Sequence, residues 1–181
     1  MKNTYFKFSK QNLVAFSVVG AFMFFAVAST EEQAATAPPS SERVSVGGSA
    51  QSGSVEFSVT SVKTITSIGD PEMLGAKAAE GGVYVVISYT LENISKKPLG
   101  LFSQPSVELI SNDGTAYDED IDASSSYAVE SELDEKILSD LNPGIKVKGA
   151  AVFEVSKELF DPSTWSFKVT TDDGVIWFNL N

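Results

Sequence analysis

Three aspartates spaced two apart, Asp118, Asp120 and Asp122, are the part of this chain whose residue type and spacing point most directly at chemistry. Carboxylates at positions 1, 3 and 5 of a loop are how oxygen ligands gather round calcium, a hard cation that takes roughly six to eight oxygens at about 2.3–2.6 Å. The three stand in a stretch, residues 113–140, that holds ten acids (Asp113, Asp118, Glu119, Asp120, Asp122, Glu130, Glu132, Asp134, Glu135, Asp140) and one base, Lys136. An EF-hand is excluded, because the sixth position is Ala123 where that loop needs Gly and the twelfth is Val129 where it needs Glu. A looser calcium site at strand ends is one reading of this stretch. A solvated acidic loop that aids solubility is the other.

Other chemistry finds less support. The chain has no histidine and no cysteine, so imidazole and thiolate ligands, disulfides and cysteine nucleophiles are excluded and the commonest general base is missing. Carboxylate pairs could serve a glycosidase only if one member lay against apolar walls that raised its pKa, and these acids stand among Ser and Asp. No nucleophile-elbow, P-loop or dinucleotide motif occurs, and Thr60-x-x-Lys63 falls within an expected strand. The expectation is a protein that is not an enzyme.

Aromatic and apolar clusters offer binding surfaces. Trp165, Phe167, Trp177 and Phe178 could form a platform for sugar rings. On adjacent hairpin strands, however, Trp165 and Phe167 share a face while Trp177 and Phe178 point to opposite faces, which favours core packing. Leu99, Leu101 and Phe102 after Pro98 read as a plug of the core.

The elements that would hold these residues fall into three parts. Lys2, Lys7 and Lys10 precede an uncharged run over residues 13–28 that ends Ala26-Val27-Ala28, the order of a secretory signal. Its 16 residues are short for a membrane span, which needs about 20. Residues 1–28 therefore read as a signal peptide or an anchor, and either exports the rest of the chain to the secreted, periplasmic or cell-surface side. No Cys stands at the cleavage position to carry a lipid. Residues 29–53, rich in Ala, Ser, Thr, Pro, Gly and Glu, read as a disordered tether. Without residues 1–28 the chain keeps 10 bases against 24 acids, a charge of −14, which repels nucleic acid and anionic lipid.

Residues 54–181 alternate apolar and polar side chains in short runs separated by turns, the pattern of half-buried antiparallel strands. Val55, Phe57 and Val59 share one face, as do Val83, Val85, Ile87, Tyr89 and Leu91 in the longest run, and Val147, Gly149, Ala151, Phe153 and Val155 in a third. Asn112-Asp113-Gly114, Asn142-Pro143-Gly144 and Asp172-Asp173-Gly174 mark the turns. Met73, Leu74 and Ala76 to Ala79 could wind a short helical turn, and residues 118–140 show no regular period. About seven strands without a covering helix make an all-β fold, an immunoglobulin-like two-sheet antiparallel β-sandwich. Asn93-Ile94-Ser95 is a glycosylation sequon with meaning only in a eukaryotic secretory route.

The runs 55–62 (VEFSVTSV), 83–95 (VYVVISYTLENIS), 107–117 (VELISNDGTAY) and 141–155 (LNPGIKVKGAAVFEV) resemble, in their order, the DUF4352 family of bacterial extracytoplasmic domains, grouped with the MPT63-like secreted antigens. The resemblance implies a β-sandwich exported through a signal peptide or anchored by lipid or a membrane helix, and it brings no catalytic residues. Two functions are expected from these readings. The first is a non-enzymatic extracytoplasmic binding module, without cofactor, that meets a protein or cell-envelope component through loops at one end of the sandwich. The second is a structural or calcium-stabilised surface protein using the acidic loop at residues 118–122.

Overall fold

The computed structural model describes residues 43–69, 75–133 and 139–181. The apolar run over residues 13–28, the tether up to residue 42 and the Met73-Leu74 pair lie outside them. The described residues form ten strands and one α-helix, in chain order β1 (Ser49–Ser52), β2 (Val55–Ile65), β3 (Ser67–Ile68), β4 (Ala76–Lys77), β5 (Gly82–Asn93), β6 (Ser106–Ile110), β7 (Ala116–Asp118), α1 (Ile121–Glu130), β8 (Lys146–Ser156), β9 (Ser166–Thr171) and β10 (Gly174–Asn179). The first sheet has the order β1-β2-β5-β8, the second β10-β9-β6-β7, and β3 pairs β4 as a short ribbon. Pairings between these strands are antiparallel. The protein is an antiparallel β-sandwich.

Alternation decides which residues meet between the sheets, since successive side chains on a strand point to opposite faces. Val83, Val85, Ile87 and Leu91 of β5 and Val147, Ala151, Phe153 and Val155 of β8 enter one core with Val55, Phe57 and Val59 of β2. From the second sheet come Leu109, Phe167, Val169, Ile176 and Phe178. Phe57 lies at the centre, with ring centroids 4.6 Å from Tyr89, 5.9 Å from Phe178 and 6.1 Å from Phe167. Aromatic pairs at such spacings add roughly 0.5–1.5 kcal/mol each beyond the area they bury.

Three segments depart from the sequence-based expectation. Residues 44–53, expected as tether, belong to the sandwich. Val44 bridges Phe178 in parallel, donating to the Trp177 carbonyl (2.9 Å) and accepting from Asn179 (2.8 Å), and β1 then pairs β2 in the other sheet. Small polar residues hide this segment because its bonds are made by the backbone, with only Val44, Val46 and Ala50 packed on the core.

The second departure is α1, which occupies part of the stretch read as irregular. Asp120 caps it by accepting from the Ala123 N–H (2.9 Å). Ala123, Ser124 and Tyr127 face the first sheet and cover a second apolar cluster made by Ile68, Tyr84, Val86, Ala150 and Val152. Val152 lies on β8, an edge strand, and its backbone is occupied by the helix start. Its carbonyl accepts from Asp120 N–H (2.8 Å) and its N–H donates to Ser124 Oγ (2.9 Å), which blunts an edge that could pair with another chain. The third departure is Ala76–Lys77, which pairs Ile68 and Ser67 as a strand where a helical turn was expected.

Candidate functional site

The structure does not bring the three aspartates together as a cation loop. Asp118 ends β7 and is exposed, Asp120 spends its carboxylate on the helix cap, and Asp122 is exposed in the first turn of α1. Among the described residues no group of three or more acids could hold a metal ion. Of the three, Asp118 closes a strand, Asp120 starts a helix and Asp122 stands in its first turn. Burial raises the Glu119 carboxyl above the ordinary glutamate value against a hydrogen bond with Ser124.

The aromatic platform is not formed. Trp165, Phe167 and Phe178 are buried. Trp165 stacks on Tyr117 at 5.1 Å and meets Phe160 edge-on at 5.3 Å. Trp177 alone faces outward, half-buried beneath the Arg43 guanidinium 5.5 Å from its ring centroid.

What the fold does build is one end of the sandwich. Asn93, the last residue of β5, is completely buried, and every polar group of its amide is bonded. Its Nδ2 donates to the carbonyls of Lys97 (2.8 Å) and Leu141 (2.7 Å), and its Oδ1 accepts from the N–H (2.9 Å) and hydroxyl (2.7 Å) of Ser95. The Asn93 carbonyl accepts from Gly144 N–H (2.8 Å), in the turn where Gly144 takes a φ of 73°. One side chain therefore ties the β5–β6 connection to the turn before β8. A sequon at such a position is a structural hub, because a fully buried amide cannot carry a glycan.

Beyond this hub the connection is braced again. Leu99 and Leu141 exchange backbone bonds (2.9 and 2.8 Å), Leu101 N–H donates to Asp140 Oδ1 (3.2 Å), and Gln104 Nε2 donates to the Ser139 carbonyl (2.9 Å). Leu99 is buried, as a core plug should be. Leu101 and Phe102 are not: they begin a 3-10 turn, Leu101–Ser103, with exposures of 40% and 101%. The brace pulls Leu99 inward, and the tight turn that follows throws the next two side chains out. Ile94 and Ile145, each 38% exposed, lie at the same end. A shallow cleft of about 440 Å³ opens beside them, lined among others by Ser54, Lys96, Lys97, Ser103 and Asp172.

Comparison with known proteins bears on the fold and the lineage. Residues 44–174 match DUF4352, described as a domain of unknown function. The chain belongs to the DUF4352 family. That match starts at Val44, the residue whose backbone bridges Phe178, so the DUF4352 unit and the folded sandwich begin together. A relative from Bacillus subtilis, "Uncharacterized protein YxkC", is 46% identical over 128 residues, covering 70% of this chain and 71% of its own. Among solved structures, a conserved hypothetical protein from Bacillus anthracis superposes with a TM-score of 0.61 at 27% identity, over 74% of this chain and 94% of that one. An uncharacterized β-sandwich protein from Clostridium difficile gives 0.52 at 16%, over 77% and 95%. These likenesses agree with the sandwich fold; the wider MPT63-like grouping is not reached by the match.

Proposed function

We propose that the protein is a non-enzymatic extracytoplasmic binding module whose partner is a protein met by the Phe102 end of the sandwich. The observation that carries this reading is a fully exposed phenylalanine on a connection braced on either side of it. A loop held by Asn93, Asp140 and Gln104 has already lost its conformational entropy, so an aromatic displayed on it is preorganised for a pocket on another molecule. Four of the eight large apolar side chains that stand exposed among the described residues, Ile94, Leu101, Phe102 and Ile145, belong to this end. Lys96, Lys97 and Asp172 supply a polar rim, the layout of an interface core and its border.

The shape favours a protein over a small ligand. Small molecules are enclosed by concave sites, whereas here the cleft is shallow and its aromatic projects outward. A projecting ring needs a partner that supplies the hole. The missing imidazole and thiol support a module without catalysis, and the leader-like order of Lys2, Lys7, Lys10 and residues 13–28 supports an exported one.

The test is the size of the species in which the protein travels. Gently solubilised cells should hold the wild type in a complex larger than the monomer, and Phe102→Ala should release it as a monomer with an unchanged Tm. A wild type that runs as free monomer, or a Phe102→Ala variant that stays in the complex, would contradict the reading, as would turnover of ester or glycoside substrates by the purified protein.

A further inference from the structure

Lys96 and Lys97 stand on the same connection as Phe102, just before its brace begins at Leu99. Both are exposed, and among the described residues neither side chain forms an ion pair. Other cations are spent within the fold. Lys146 engages Glu56 and Glu92 (3.5 and 2.8 Å), Lys168 engages Glu108 (2.6 Å), and Arg43 and Lys63 lie over the Trp177 and Tyr127 rings. The backbone from which the two ammonium groups rise is fixed all the same. The Lys97 carbonyl accepts from Asn93 Nδ2 (2.8 Å) and Ser95 Oγ (2.9 Å), and its N–H donates to Ser95 Oγ (3.2 Å).

The acids at this end do not neutralise the pair. Asp140 accepts from Leu101 N–H, and Asp173 turns its carboxylate onto Gly53, in the space a Cβ there would need. Of Asp140, Asp172 and Asp173, only Asp172 lines the cleft beside Phe102. Two ammonium groups against one carboxylate give that cleft a positive excess, on a chain whose formal charge is −11. Positive charge bordering an exposed apolar centre is complementary to a surface with an apolar hole and carboxylates round it.

Resting on the protein-binding reading above, we infer that the partner's surface is acidic, with Asp or Glu carboxylates opposite Lys96 and Lys97 and beside the hole that takes Phe102. The apolar centre supplies the affinity, while the lysines steer the encounter, fix its register and reject basic surfaces. An anionic membrane would also attract the lysines. It would press Asp140, Asp172 and Asp173 against like charge, however, whereas a protein sets its carboxylates opposite the ammonium groups alone.

Carbodiimide, which condenses an amine with a carboxylate, tests this in the complex from gently solubilised cells. It should join Lys96 or Lys97 to an Asp or Glu of the partner. Lys96→Arg/Lys97→Arg should stay in the complex and lose that link, since guanidinium keeps the charge but does not couple. Lys96→Glu/Lys97→Glu should weaken the complex about tenfold or more at an unchanged Tm, and raising NaCl from about 0.05 to about 0.5 M should weaken the wild-type complex in the same direction. A complex that Phe102→Ala disrupts but Lys96→Glu/Lys97→Glu and salt do not, or one with no carboxylate linked to either lysine, would overturn the acidic partner and leave the protein-binding reading standing. A wild type that runs as free monomer would overturn both. Full-length protein that prefers phosphatidylglycerol over phosphatidylcholine vesicles, with the preference lost in Lys96→Glu/Lys97→Glu, would overturn the inference in favour of a membrane.

Discussion

Asn93 shows at the scale of one residue how much a single side chain organises here. Replacing it by Ala removes four hydrogen bonds made by a fully buried side chain and leaves the Leu141 and Lys97 carbonyls with one partner each, from Leu99 N–H and the Ser95 hydroxyl, a loss of about 2–4 kcal/mol. Chemical denaturation of Asn93→Ala should show that loss, and Asn93→Asp should lose at least as much, because a carboxylate offers the Lys97 and Leu141 carbonyls nothing but acceptors. Glu119 gives the opposite kind of residue effect. Its folded-state pKa lies above the unfolded value of 4.5, so the folded state holds the proton more tightly, and this group's contribution to stability falls as pH rises through that window. Glu119→Gln should therefore raise the Tm at pH 7 and leave it almost unchanged at pH 4, as thermal melts at the two pH values would show. Neither role was legible in the sequence: Asn93 read as part of a sequon, and Glu119 as one acid of ten. Burial separates them from their neighbours, and burial belongs to the fold.

Among the elements, the strands were the legible part. Period-two runs located β2, β5, β8 and the closing hairpin, and the turn glycines were found where positive φ is needed, 88° at Gly114 and 73° at Gly144. The helix was not legible, because Asp118, Asp120 and Asp122 drew attention to charge and Ser124, Ser125 and Ser126 are weak helix formers. A signal for it did exist elsewhere. Tyr84 and Val86, like Ala150 and Val152, are apolar on the face opposite the core, and a sheet apolar on both faces needs a second cover. Asp120→Ala should cost about 1 kcal/mol through the lost cap, measurable by urea unfolding. The N-terminal segment is a matching case: a chain beginning at residue 54 lacks the Val44 bridge and β1. It should be roughly 3 kcal/mol less stable than one beginning at residue 43, with a Tm lower by about 10 °C.

As a whole molecule the protein is a sandwich whose acids were expected to matter and whose exposed apolar end does more to suggest a role. The cation site was read from spacing alone, and spacing presumes a loop; here Asp120 caps a helix and Asp122 lies in its first turn. The Tm should accordingly be the same in millimolar calcium and in chelator. Phe102 was assigned to the core from composition, since three apolar residues after a proline resemble a plug. Only the brace between residues 99–104 and 139–141 shows that one of them, Leu99, satisfies that role and leaves Phe102 outside.

The most direct test of a protein-binding role for that end is a photo-reactive amino acid placed at position 102 of the full chain in living cells. Val129, 81% exposed on α1, serves as the apolar control. Light should give a discrete cross-linked protein from position 102, lost when Lys96 and Lys97 are both changed to Glu, and no such product from position 129. No product from position 102, or the same product from both positions, would contradict the assignment of this end as the binding surface.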